Sequence, residues 1–243
     1  GEIVTAADRY VADVYCDDGK VVAIGENLEK RGARDQVVDA AGQLVLPGFI
    51  DPHVHMELPF MGTVSADDLE TGTASGLAGG TTCIIDFVIP NRGQSLLEGL
   101  RIWRERSKKA VADYTFHMAI TGWGPDTAEE MAAVVLEYGI TSFKVFMAYK
   151  GAIMVDDGEL YQVMKHAAKL GATVCVHCEN GDAVYALQKE LVAGGKLGPE
   201  FHPVSRPSSL EGEATNRALM MARLHGATAY IVHMTCREAV EAL

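Results

Sequence analysis

From Leu44 onward the apolar positions fall into a repeating rhythm. Near-continuous apolar runs at 46–50, 82–88, 114–120, 142–148, 173–176 and 229–233 read as strands. Between them, longer stretches at helical spacing cover 66–77, 95–112, 127–138, 157–170, 182–193 and 211–224, and another helical pattern starts at Cys236. Glycines stand where helix C-caps belong: Gly79-Gly80, Gly139, Gly171, Gly194-Gly195 and Gly226. Apolar strands alternating with helices predict a parallel sheet covered on both sides. No Gly-x-Gly-x-x-Gly follows the first strand, which disfavours a dinucleotide-binding doubly wound sheet. The predicted fold class is therefore α/β, a (β/α)8 TIM-like barrel over residues 46–243. About six of its eight β/α units are present, and the rest are expected beyond Leu243.

Residues 1–45 follow a different pattern. Positions 10–16 alternate, Asp17-Asp18-Gly19 makes a turn, Val21 to Ile24 forms a second run, and Val37 to Ala40 is expected to add a short strand. This reads as the N-terminal part of a small β-sandwich domain, too small to bury a core by itself.

Composition narrows the classes. Of 243 residues, 48% are hydrophobic, enough for a large core. The net charge of −12 repels phosphate backbones, so no nucleic-acid partner is expected. No apolar run approaches the ~18 residues of a membrane span. Cys16, Cys83, Cys175, Cys178 and Cys236 are scattered, which points to reduced thiols and a cytoplasmic location. Cys175 and Cys178 mimic a redox or zinc pair, but positions i and i+3 of a strand face opposite sides. Arg101, Arg104, Arg106, Lys108 and Lys109 read as a solvated helix face.

The candidate chemistry lies at strand C-terminal ends, where a β/α barrel builds its site. The first strand runs into Asp51-Pro52-His53-Val54-His55, and i, i+2 spacing points both histidines the same way. The fifth strand ends in His177 and the sixth in His233. A lone strand-end histidine is usually a hydrogen-bonded core or loop residue, the class to which His117, His166, His202 and His225 are assigned. Four histidines at three equivalent barrel positions point instead to a metal centre, since neutral imidazole binds zinc and its neighbours well. The fourth strand, Ser142-Phe143-Lys144-Val145-Phe146-Met147, buries a lysine in an apolar run. One explanation is a salt bridge to a strand-end carboxylate such as Asp86. The other is a desolvated amine that adds carbon dioxide and becomes a two-oxygen carbamate able to bridge two metals. Lys150 has the same strand parity but lies past the run and is expected in solvent. Asp51, Asp86 and Glu179 are candidates to orient histidines, or to cap helices.

Several stretches together resemble the dihydropyrimidinases and D-hydantoinases of the amidohydrolase superfamily. They are Pro47 to His55, Gly79-Gly80-Thr81-Thr82 through Asp86-Phe87, Ser142 to Lys150, His177-Cys178-Glu179-Asn180-Gly181-Asp182, and Tyr230 to His233. The resemblance implies two divalent metal ions, zinc by default with manganese or cobalt as alternatives. His53 and His55 would hold one and His177 and His233 the other, bridged by N6-carboxylated Lys144. It assigns Tyr149 as hydrogen-bond donor to a developing oxyanion. The family's general-base aspartate, on the eighth strand, has no match in residues 1–243. The implied reaction is hydrolytic ring opening of a cyclic amide by a metal-bridging hydroxide: dihydrouracil to N-carbamoyl-β-alanine, or 5-substituted hydantoins. The implied partner is a small cyclic amide, within a homo-oligomer, commonly a tetramer.

Dihydroorotases typically carry an arginine just after the His-x-His pair, where this chain has Met56. The apolar loop with Leu58, Phe60 and Met61 suits a neutral ring, although simple packing would give the same pattern. An allantoinase-like cyclic ureide hydrolase is one alternative. A non-catalytic dihydropyrimidinase-related scaffold is another, and retention of all five ligand positions argues against it.

Overall fold

The computed structural model describes residues 1–60 and 62–243. The chain separates into two units, Gly1–Phe49 and Ile50–Leu243.

The first unit is built from β1 (Glu2–Val4), β2 (Arg9–Val11), β3 (Asp13–Asp17), β4 (Lys20–Gly25) and β5 (Leu44–Val45). β1 lies between antiparallel β2 and parallel β5. β3 and β4 form a hairpin whose turn residues Asp18 and Gly19 both have positive φ, 47° and 71°. That backbone twist matches the twist of the paired strands. The strand expected at 37–40 does not form. Val37 and Val38 have no neighbouring strand to ladder with among the described residues and stay exposed. Apolar β-branched residues do not hold a strand without a pairing partner.

In the second unit, β6 (Phe49–Val54) leads into a small hairpin of β7 (Pro59–Phe60) and β8 (Thr63–Val64). Then follow α1 (Leu69–Ala78), β9 (Thr81–Val88), α2 (Leu96–Arg106), β10 (Asp113–Ala119), α3 (Thr127–Leu136), β11 (Ser142–Phe146), α4 (Asp157–Leu170), β12 (Thr173–His177), α5 (Gly181–Ala193), α6 (Ser208–His225), β13 (Thr228–Ile231) and α7 (Arg237–Ala242). The main sheet has the order β13-β12-β11-β10-β9-β6. Each strand sits beside its predecessor and the order never reverses. A doubly wound sheet must reverse at its switch point, so this monotonic order is that of a barrel wall. Pro52 inside β6 removes a ladder donor, which the edge position tolerates.

The outward faces of the strands pack on the helices. Met118, Phe143, Val145, Val174 and Val176 meet Leu160, Val163, Met164, Ala214 and Ala218 in one buried cluster. Helix starts are fixed locally: Asp156 caps α4 through the Glu159 amide, and the Glu159 side chain returns to the Asp156 amide. Gly171 and Gly226 end α4 and α6 in the left-handed region, at φ 64° and 66°.

Several boundaries differ from the sequence pattern. The first strand runs 49–54, not 46–50, because Pro47-Gly48 precedes it. The second helix ends at Arg106, short of Ala112, in a 3₁₀ turn where the Ser107 hydroxyl donates back to the Trp103 carbonyl. The sixth starts at Ser208, directly after Pro207. The last strand stops at Ile231, leaving His233 beyond it. No described helix is long and apolar enough to cross a membrane.

Candidate metal centre

Register places the key side chains. Lys144 pairs with Cys175, and Phe146 with His177, in the parallel β11–β12 ladder. Partners across a parallel ladder share a face, so Lys144 and His177 point the same way, opposite to Val145 and Val176, which meet the helices. On that inner face the Phe87 ring is the hub. The rings of His53, His55 and His117 lie 4.6, 4.7 and 4.7 Å from it, and Lys144 Nζ lies 5.3 Å from its centroid. Phe87 is buried and forms an apolar floor. Its sequence context, an apolar strand, gave no sign of that role.

His233 would fall on the wrong face by strand alternation. Ile231 pairs with Val176 and shares its outward face, and His233 has the same parity as Ile231. A left-handed backbone at His233 (φ 37°) breaks the alternation. It brings His233 Nε2 to within 3.0 Å of His177 Nδ1. The turn is held by Glu211 of α6, which accepts from the Thr235 amide (2.7 Å) and hydroxyl (2.6 Å). Tyr149 is also left-handed (φ 68°), and its ring centre lies 5.1 Å from that of His177. Left-handed non-glycine residues are costly and collect at functional sites.

Among the described residues the ring nitrogens of His53 and His55 hydrogen-bond nothing and those of His177 and His233 face each other, whereas the His117 ring is tied to the sheet itself. His117 Nε2 donates to the Pro52 carbonyl (2.9 Å) and its Nδ1 accepts from the Ser142 hydroxyl (2.6 Å), so both nitrogens are spent within the protein. His166 likewise bonds the Gln162 carbonyl, and His225 packs edge-on against Tyr161. His53, His55 and His233 are pushed down to about 4, by burial first and then by the positive charge of Lys144 and their neighbours. His55 and His233 keep solvent access at the rim, and the neutral, lone-pair form of all three is favoured at neutral pH.

Lys144 is 0% exposed and its Nζ has no hydrogen-bond partner among the described residues. Burial lowers its pKa to about 8. The salt bridge to Asp86 does not form; Asp86 instead faces away and accepts from the Phe87 amide at 2.7 Å. Lys150 lies in solvent and pairs with Asp182. Among the described residues no three His, Cys, Asp or Glu side chains converge on one point. The histidines come as two pairs, and each pair needs a further donor to complete a metal's shell. An orphaned, desolvated amine between the pairs fits that need once carboxylated.

Of the three candidate orienting carboxylates, only Glu179 touches a histidine ring, accepting from His177 Nε2 at 2.6 Å. Asp51 holds the His53 backbone amide instead (3.0 Å). Glu179 also accepts from Arg206, a residue to which the sequence pattern gave no role. Arg206 stands alone in a loop between prolines, and only the fold brings it to Glu179. A cavity of about 210 Å³ opens beside these groups, lined by Tyr149, His177, Glu179, His202, Arg206 and His233 among others. In the loop after His55, the Phe60 ring stands edge-on to Tyr149 at 5.3 Å, while Leu58 packs on the core; Met61 lies outside the described residues.

Residues 44–229 match the sequence profile of the amidohydrolase family. A D-hydantoinase of Geobacillus stearothermophilus is 48% identical over 242 residues, 99% of this chain and 51% of that protein. A dihydropyrimidinase of Dictyostelium discoideum is 50% identical over 230 residues, 93% of this chain and 45% of that protein. A crystal structure of a D-hydantoinase superposes with a TM-score of 0.96 at 48% identity, over 100% of this chain and 52% of that one. The chain spans about half the length of the curated relatives it matches.

Proposed function

The chain belongs to the amidohydrolase family, and from that premise we propose that it carries most of the catalytic centre of a cyclic amide hydrolase. The substrates are 5,6-dihydropyrimidines such as dihydrouracil, opened to N-carbamoyl-β-alanine, or 5-substituted hydantoins. The names of the relatives, D-hydantoinase and dihydropyrimidinase, support this class over an allantoinase or a scaffold. One observation carries the reading: a fully buried, unpartnered Lys144 amine set between two histidine pairs.

His53 and His55 would hold one divalent ion and His177 and His233 the other, and carboxylated Lys144 would serve as an anionic ligand shared by both. Zinc is the first candidate from the nitrogen-rich donor set, with manganese or cobalt as alternatives. When bound, such ions supply Lewis acidity and bring the pKa of water toward neutrality. The chain's own residues do the rest. Burial brings the Lys144 pKa down to about 8, so its neutral amine is far more accessible near neutral pH than that of an exposed lysine; that neutral form would take up carbon dioxide and release one proton, leaving an anion where an ammonium would repel cations. Burial raises the Tyr149 phenol above its ordinary pKa, so it keeps its proton at neutral pH and can donate to the oxyanion that develops on the ring carbonyl. Phe60 beside Tyr149 and Phe87 beneath the histidines provide an apolar surround suited to a neutral ring. The proton relay to the leaving nitrogen is assigned to no residue of 1–243.

The same resemblance supports a homo-oligomer, a tetramer in the first instance, and five free thiols fit a reducing, cytoplasmic setting. The deciding experiment is metal content together with intact mass, on the protein at its full natural length grown with zinc and bicarbonate. Two metals per chain and a mass gain of one carbon dioxide, both lost in Lys144→Ala, are expected. A metal-free protein with unmodified Lys144 would overturn the hydrolase reading in favour of a scaffold.

A further inference from the structure

We infer that Arg206 is a positioning residue that sets two sides of the centre at once, His177 through Glu179 and Tyr149 directly. The inference rests on the proposed metal centre and deepens it.

Glu179 is a carboxylate and can only accept, so its 2.6 Å contact fixes the proton of His177 on Nε2. His177 Nδ1 is then left with its lone pair directed at the His233 side, 3.0 Å from His233 Nε2. An outer carboxylate that holds a ligand histidine in one tautomer and one ring orientation makes it a better donor. Glu179 itself needs holding. It lies two residues past the end of β12, and a carboxylate in so enclosed a place is unstable without a cation. Arg206 is that cation, donating to the same Oε2 that His177 uses. Both side chains are 15% exposed, so the pair is shielded from water.

The guanidinium has a second contact. Its central carbon stands 5.5 Å from the centre of the Tyr149 ring. A planar cation over a phenol face restrains the ring and stabilises it electrostatically. Tyr149 already sits in a left-handed backbone, which a neighbour must keep in place. Arg206 is well suited to hold both groups, because its own backbone is fixed between Pro203 and Pro207, with its amide donating to the Pro203 carbonyl at 3.2 Å.

The test uses the full-length protein loaded with zinc and challenged with a competing chelator, alongside ring opening of dihydrouracil. In Arg206→Gln and in Glu179→Gln one of the two zinc ions is expected to be lost about 10- to 100-fold more readily than in the unsubstituted protein. If Arg206 acts through Glu179, the double variant loses zinc no faster than the worse single variant; independent structural damage would instead multiply the two losses. Arg206→Lys keeps the charge but not the plane. It is expected to hold zinc better than Glu179→Gln while losing kcat at little change in KM, and it decides the matter if Arg206→Gln does not fold. Zinc held by Arg206→Gln as tightly as by the unsubstituted protein, multiplying losses in the double variant, or Arg206→Lys matching the unsubstituted protein in both readouts would each overturn the inference. A protein that binds two zinc ions but opens no cyclic amide would fail the functional reading alone, since the zinc ratios still decide Arg206. A protein that binds no zinc fails both.

Discussion

His177 Nδ1 and His233 Nε2 face each other at 3.0 Å although their strands would place them on opposite faces of the sheet. The left-handed backbone of His233 makes the meeting possible, and Glu211 holds the turn through Thr235. The two imidazoles are brought together by a loop residue, and the strain of the meeting lies in the loop and not in the strand. Glu211→Ala releases the turn, and the expected result is loss of one metal per chain with a fold that persists. Retention of both metals would show that the turn holds itself.

Lys144 trades stability for chemistry. Its folded pKa, about 8, lies below the ordinary 10.5. The unfolded chain therefore binds the proton more tightly, and stability falls as pH drops from 10.5 through 8. At neutral pH the cost is fully developed, about 3 kcal/mol from a shift of that size. Metal-free Lys144→Met should be more stable than the metal-free parent at pH ~7, by roughly 1–3 kcal/mol, and no more stable well above pH ~10. Urea unfolding after chelation measures this, and a less stable variant at neutral pH would mean that the amine has a partner in the apo protein. The same variant should bind no bridging carbon dioxide.

Much of this is legible in the sequence itself. The middle strands and the helices of the second unit follow from apolar rhythm because β11 and β12 are buried on both faces, and the His53–His55 spacing survives because β6 keeps its alternation through Val54. What the pattern missed depends on contacts distant in sequence or on single dihedrals. Arg206 lies 27 positions from Glu179 in an irregular loop, so no periodicity marks it. The apolar run carries His233 onto a strand that ends two residues earlier, because one positive φ leaves no trace in hydropathy. Val37 and Val38 misled for the opposite reason: they carry strand composition but no pairing edge.

Gly181 opens α5 where the chain runs against the end of β11. Its amide donates to the Met147 carbonyl at 3.0 Å, and a β-carbon there would come to 2.6 Å from that oxygen and 2.8 Å from Ala148 Cα. Both neighbours are backbone, so they cannot step aside cheaply. Gly181→Ala is expected to cost about 1–3 kcal/mol, as overpacking does. It should also lower kcat, because the displaced segment carries Tyr149. A thermal melt beside a steady-state assay checks both, and an unchanged melting temperature would mean that the helix start moves freely.

Asp86 gives the fold a distinct pH signature. It is 1% exposed, its Oδ2 has no partner among the described residues, and burial raises its pKa to about 7 against the backbone hydrogen bonds and the Arg106 charge that pull it down. The ordinary value is 3.8, so between 3.8 and about 7 the folded protein binds the proton and the unfolded chain has lost it. Stability from this group is complete below 3.8 and disappears as pH rises through 7. Asp86→Asn removes the titration while keeping the shape and the acceptor for the Phe87 amide. The variant should match the parent near pH ~4 and exceed it near pH ~8 by at most about 4 kcal/mol, the equivalent of the shift. Paired urea titrations across that range measure the difference. A variant weaker than its parent at pH ~8 would mean that the ionised Asp86 is not a cost there but is held by Arg106 as an ion pair, in which case removing the charge leaves the guanidinium stranded.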